Sequence, residues 1–161
     1  MINQISKNIW QFSFEQFGSC VYLLKLNKNI LIDTSTIENR SELIQDLSSL
    51  KLKPENIDII LLTHNHYDHT GNLDLFPKAE VYSEKNINKF KIKDIKVIKT
   101  PGHSEDGLSF LYHDILFSGD TIFHEGGRGR TDLPGGNEEQ ILKSIAKLSK
   151  IKYKILCPGH I

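Results

Sequence analysis

The sequence predicts an α/β (α+β) domain in which sheets are covered by helices. Three observations predict it. Short apolar runs are punctuated by turn residues, two stretches carry helical spacing, and the two kinds alternate loosely with several hairpins between them. At 161 residues the chain is one domain by length, residues 1–161. A chain of that size buries roughly two-thirds of its unfolded surface, so its core does not depend on disulfides.

The first eleven residues carry Lys7 and Trp10 but no continuous apolar core, so they do not read as a signal peptide. Residues 19–24 (Ser-Cys-Val-Tyr-Leu-Leu) and 30–33 (Ile-Leu-Ile-Asp) flank a polar turn and predict a hairpin. Residues 41–50 place Leu43, Ile44, Leu47 and Leu50 at helical spacing, and Pro54 closes that unit. The run 57–62 is a buried strand, and shorter strands follow at 79–82, 96–99, 108–112 and 115–117. Residues 137–150 predict a second amphipathic helix with Ile141, Leu142, Ile145 and Leu148 on one face, and 153–156 a last strand.

The polar residues with chemical potential stand just beyond strand ends. His64 follows 57–62, His103 follows 96–99 through Pro101-Gly102, Asp120 follows 115–117 through Ser118-Gly119, and His160 follows 153–156 through Pro158-Gly159. Loops at one edge of a rigid sheet are a common place for function. Imidazole and carboxylate are ligands that suit zinc, iron and manganese, and His64-x-His66-x-Asp68-His69 packs four of them into six residues. A regular strand puts His64, His66 and Asp68 on one face, whereas a tight loop splays them around two centres. Of the chain's seven histidines, five fall in these loops, which sets the cluster apart from scattered surface histidines. His113 sits in a predicted hairpin turn, and His124 lies close in sequence to Asp120. Zinc takes about four ligands, so seven candidates exceed one ion. Two divalent ions sharing a carboxylate accommodate them, and such pairs sit ~3.5–4 Å apart with a water or hydroxide between them.

The run Thr-His-Asn-His-Tyr-Asp-His-Thr-Gly at 63–71 resembles the defining motif of the metallo-β-lactamase superfamily. Thr-Pro-Gly-His-Ser, Phe-Ser-Gly-Asp-Thr and Cys-Pro-Gly-His resemble its later motifs in the same order. The resemblance spans nearly the whole chain and implies the αββα sandwich of that superfamily, here minimal and truncated after the last metal-binding histidine, since the chain stops at Ile161. Position by position it implies His64, His66 and His103 on one metal, Asp68, His69 and His160 on the other, and Asp120 bridging. It also implies that Asp33 supports the metal loop from behind. Gly119-Asp120-Thr121-Ile122-Phe123 with Gly129-Arg130-Thr131-Asp132-Leu133-Pro134-Gly135-Gly136 is similar to the glyoxalase II-like, short single-domain branch, while persulfide dioxygenases share the Gly-Arg-Thr-Asp portion. Arg130 and Asp132 are read as an ion pair anchoring this loop, with substrate contact by Arg128 or Arg130 as the rival reading.

The resemblance implies a small-molecule hydrolase, with a thioester as the expected substrate and Asp68 and Asp120 as the catalytic carboxylates. A thiolate whose free pKa is about 8.5 leaves without a dedicated general acid, and no motif here demands one. Zinc is the first expectation for the ions, with iron or manganese as alternatives. The rival readings are a single-iron persulfide dioxygenase and a metal-binding domain that needs a partner to complete its pocket. A formal charge of +0, from 20 basic and 20 acidic residues, argues against nucleic acid as a partner. The lysines from Lys85 to Lys99 read as a solvated stretch. Cys20 and Cys157 form no disulfide framework, Cys157 reads as a buried strand residue, and no run approaches a membrane span. A cytoplasmic location follows, and oligomeric state leaves no mark in the sequence.

Overall fold

Short apolar runs pair into one sheet in the first half of the chain and into another in the second. In the computed structural model, which describes residues 1–161, the chain accordingly divides into two compact units, Met1–Tyr82 and Ser83–Ile161.

The first unit is a six-stranded sheet in the order β1 (Ile2–Ser6), β2 (Ile9–Phe12), β3 (Val21–Lys25), β4 (Asn29–Ile32), β5 (Ile59–Leu61) and β6 (Glu80–Tyr82). The first four strands form an antiparallel meander, as tight turns allow. From β4 onward the pairing is parallel, because the connection to β5 passes through helix α1 (Arg40–Ser49). All three residues of β5 are apolar and buried, as a strand covered on both faces requires. Phe12, Val21, Leu23 and Leu31 pack with Leu43 and Leu47 of α1 and with Ile57, Ile60 and Leu62. Ile32 pairs with Leu61, so β4 and β5 end at the same edge, and the next residues of both strands emerge there. A one-turn helix α2 (Tyr67–Thr70) follows.

The second unit is a four-stranded sheet in the order β10 (Ile155–Pro158), β9 (Ile115–Gly119), β8 (Leu108–Tyr112) and β7 (Ile95–Lys99). Strands β7, β8 and β9 are antiparallel neighbours, whereas β10 joins β9 in parallel after helix α3 (Glu138–Leu148). Strands β7, β9 and β10 therefore all point the same way, and their C-terminal ends share one edge. Ile98, Leu116 and Leu148 form the centre of this unit's core, with Ile122, Tyr153 and Leu156 packed against it. Asn137 caps α3 by accepting the Gln140 N–H at 2.9 Å, and Glu138 and Glu139 in the first turn suit the positive end of the helix.

Several expectations needed correction. The hairpin of β1 and β2 was not anticipated: its outer strand buries little, so the sequence carries no strong apolar signal. The last strand runs two residues later than read, because the Lys154 and Ile155 N–H groups first turn on the Asp114 carbonyl. The central strand is shorter, since the Ile57 N–H closes a 3-10 turn that Pro54 opens. On α3 the buried face is Ile141, Ser144 and Leu148, while Leu142 is 54% exposed. A residue one step from Ile141 is rotated by about 100° and leaves the face that three- and four-residue spacing defines. Similarly, Ile44 of α1 is exposed beside buried Leu43 and Leu47. No helix is long and apolar enough to cross a membrane.

Candidate metal centre

In the first unit the site begins where β4 and β5 end. Asp33 takes a left-handed backbone (φ 62) and is 2% exposed. Its Oδ1 accepts the Thr63 N–H at 2.8 Å, and its Oδ2 accepts the Thr63 hydroxyl at 2.8 Å. The same Oδ2 lies 2.8 Å from His69 Nδ1. An ionised carboxylate only accepts, so His69 donates from Nδ1 and its Nε2 carries the lone pair that a metal ion requires. This is the supporting role that the resemblance implied for Asp33. Thr63, to which the sequence reading gave no role, is the link that ties the Asp33 carboxylate to the first residue of the metal loop.

The loop itself is not a strand. His64 and His66 precede α2, the latter with extended backbone, and Asp68 and His69 lie within it, so strand alternation does not run through the four residues. His64 Nε2 is 3.0 Å from His66 Nδ1, and Asp68 Oδ2 is 3.8 Å from His69 Nε2. Backbone bonds pin the loop: the Thr34 N–H and hydroxyl both reach the His69 carbonyl, and the Ser19 N–H reaches that of Asp68. A Cβ on Gly71 would stand 2.7 Å from the Ile37 nitrogen, so only glycine lets these segments approach.

In the second unit the candidate ligands follow three strand ends. His103 follows β7 through Gly102, whose φ of +141 and closeness to the Ile141 backbone exclude a side chain. Its Nδ1 is 2.7 Å from the Arg130 carbonyl. A carbonyl can only accept, so this ring also presents Nε2. Asp120 follows β9 and His160 follows β10, and the Gly159 N–H donates to the Gly119 carbonyl at 2.8 Å to lock the two ends together. Asp120 Oδ2 is 3.4 Å from His103 Nε2 and also 3.4 Å from His160 Nε2. Phe123 packs its ring edgewise against His160.

The donor sets fit a metal ion. Ligand atoms held tetrahedrally at ~2.0–2.1 Å from zinc lie about 3.3–3.4 Å from one another, the separation around Asp120 Oδ2. Among the candidate histidines, His69 and His103 each place Nδ1 against an oxygen that accepts, and both expose Nε2.

The arginine loop behaves as the ion-pair reading expected. Arg130 grips Asp132 through both Nε and a terminal nitrogen, at 2.7 and 2.5 Å, and these hydrogen bonds hold the Asp132 carboxyl at about 2. Arg128 donates to Glu138 Oε1 at 2.7 Å and the Thr131 hydroxyl to Glu138 Oε2 at 2.8 Å, which together lower the Glu138 pKa. His113 occupies the β8–β9 turn with φ 52, as expected. His124 sits in the turn His124–Gly126 and lines a cavity of about 380 Å³ with Ile122, Ile145 and Tyr153. Cys157 is a buried residue of β10.

The model of the metallo-β-lactamase superfamily matches residues 15–91 and 83–160. The chain belongs to the metallo-β-lactamase superfamily. It is 33% identical over 143 residues to a probable metallo-hydrolase of Methanocaldococcus jannaschii, covering 81% of this chain and 70% of that one. It is 32% identical over 122 residues to the hydroxyacylglutathione hydrolase of Psychromonas ingrahamii, covering 63% of this chain and 46% of the relative. In fold it is similar to a metallo-β-lactamase family protein of Thermus thermophilus, with a TM-score of 0.81 at 18% identity over 98% of this chain and 75% of that one. The two sheets and three helices are thus those of a metallo-β-lactamase fold, and the chain is a metal-dependent hydrolase of this superfamily. Superfamily members bind divalent metals, usually zinc and also iron, and the histidine-rich loops of this chain fit that use.

Proposed function

We propose that this superfamily member is a binuclear hydrolase acting on a small-molecule thioester in the cytoplasm, with residues 1–161 working as one domain. His64, His66 and His103 would hold one ion and Asp68, His69 and His160 the other, with Asp120 shared. The observation that carries the binuclear reading is the position of Asp120 Oδ2. One oxygen stands 3.4 Å from His103 Nε2 and 3.4 Å from His160 Nε2, histidines assigned to different ions. Bound there, divalent ions supply Lewis acidity and lower the pKa of a coordinated water toward neutrality.

The chain's own groups do the rest. Asp33 and the Arg130 carbonyl keep His69 and His103 in the tautomer that binds metal, so neither of these two rings has to shed a proton from Nε2 to become a ligand. Asp68 orients the attacking water and accepts its proton. Loss of a thiolate needs little protonation, which suits a site whose histidines are committed as ligands. The hydroxyacylglutathione hydrolase relative supports a thioester as the substrate class. Arg128 and Arg130 are engaged by Glu138 and Asp132, which favours an anchoring role for both over substrate contact.

A second reading has one observation in its favour. His103, Asp120 and His160 alone form a two-histidine, one-carboxylate set, the arrangement that suits a single ferrous ion and oxygen chemistry. Metal analysis of protein purified without added metal, paired with hydrolysis of S-D-lactoylglutathione, separates the two. About two ions per chain with turnover supports the hydrolase. About one iron per chain, with oxygen uptake on a persulfide and no thioester cleavage, overturns it in favour of the dioxygenase.

A further inference from the structure

Three features of the second unit converge on one residue that touches no ligand. The Gly129 N–H donates to the Asp120 carbonyl at 2.9 Å, and the next carbonyl, that of Arg130, accepts from His103 Nδ1 at 2.7 Å. The two-residue segment 129–130 therefore holds the main chain of one metal-site residue and the ring of another. The fit is close: a Cβ on Gly129 would stand 2.2 Å from the Asp120 oxygen and 2.7 Å from His103 Nδ1. This segment lies between Arg128 and Thr131, and both reach the two oxygens of Glu138, the first residue of α3. Beside it, the Asn137 N–H donates to the carbonyl of Gly102, the residue before His103.

We infer that Glu138 is a positioning residue for the metal centre: by gripping Arg128 and Thr131 it fixes the peptide that sets the tautomer and aim of His103. The inference rests on the metal-binding reading above but not on the substrate. The physical reason is that a carbonyl on an exposed loop is a good acceptor only while the loop is still. A carboxylate held by a guanidinium and a hydroxyl at two points removes the rotation that one contact would leave. Partners one step behind a ligand typically govern metal affinity by 10–100-fold, and Glu138 acts one step further back, so about a tenfold effect is expected.

The test is zinc affinity of the full chain, measured by competition with a chromogenic chelator, with the visible spectrum of the cobalt-loaded protein recorded alongside. Glu138→Ala is expected to weaken the affinity about tenfold and to perturb the cobalt spectrum, with Glu138→Gln recovering part of the loss because one oxygen remains to accept from Arg128. Thr131→Val, which removes one prong, is expected to show a smaller loss and stands in should Glu138→Ala not fold. Glu139→Gln breaks the neighbouring exposed pair with Lys143 and is expected to change neither readout. Parent-like affinity and spectrum in Glu138→Ala and Thr131→Val overturn the inference while leaving the metal centre intact. A parent chain that binds no zinc, iron or manganese overturns the metal reading itself.

Discussion

The two units gather their candidate metal ligands by different means. In the first, the candidate ligands lie within six consecutive residues, and His69 is oriented by Asp33, a buried carboxylate that also accepts two bonds from Thr63. In the second, the candidate ligands arrive from three separate strands, and His103 is oriented by a backbone carbonyl on a loop whose side chains are largely exposed. A compact sequence motif can be steadied by a single buried charge. Ligands gathered from distant segments need a structural member that touches several of them, and main chain serves because every residue supplies it.

The comparison breaks most sharply at Asp33. Asp33→Ala leaves the Thr63 and His69 donors buried without their anion, and is expected to cost on the order of 3 kcal/mol in chemical denaturation and at least tenfold in metal affinity. A loss below about 1 kcal/mol would show that the buried charge is not what steadies the first unit. Gly129→Ala tests the second unit. Its methyl would overlap the Asp120 carbonyl, so about 1–3 kcal/mol of stability and weaker metal binding are expected, seen by thermal melting and metal titration. The smallest effect belongs to the exposed Arg130–Asp132 pair. Asp132 titrates at about 2 instead of its ordinary 3.8. Its stabilising contribution is therefore present above pH 3.8 and is lost as pH falls toward about 2. Asp132→Asn is expected to melt slightly lower than the parent at neutral pH, at low salt only, with the two curves converging over that acid range.

The first unit's candidate ligands were legible because His64, His66, Asp68 and His69 crowd together in sequence, and the resemblance supplied Asp33. His103, Asp120 and His160 were legible for a different reason: each follows a strand and a glycine, and the sheet brings β7, β9 and β10 together with their ends at one edge. The grip on His103 was not legible, since the group involved is a carbonyl and every residue has one. Glu138 was equally hidden, because an acidic residue at the start of a helix reads as a favourable end charge. Strand β1 escaped because it is mostly polar and β2 because its apolar run is only four residues long, and Leu142 leaves the core face because Ile141, Ser144 and Leu148 define it.

The parallel pairing of β9 with β10 also bears on how the protein folds. Asp120 and His160 are far apart in the chain, and they meet only when α3 has crossed over and β10 has docked, the slow kind of contact to form. The His64–His69 cluster is contiguous in sequence, but its Asp33 anchor likewise waits for β5 to pair with β4 across the α1 connection. An ion that requires Asp120 and His160 together binds only chains that have completed the crossover, and binding to the native state alone draws the equilibrium toward it. Metal loading through these two residues would act as a final inspection, withdrawing finished molecules from the pool that can still unfold.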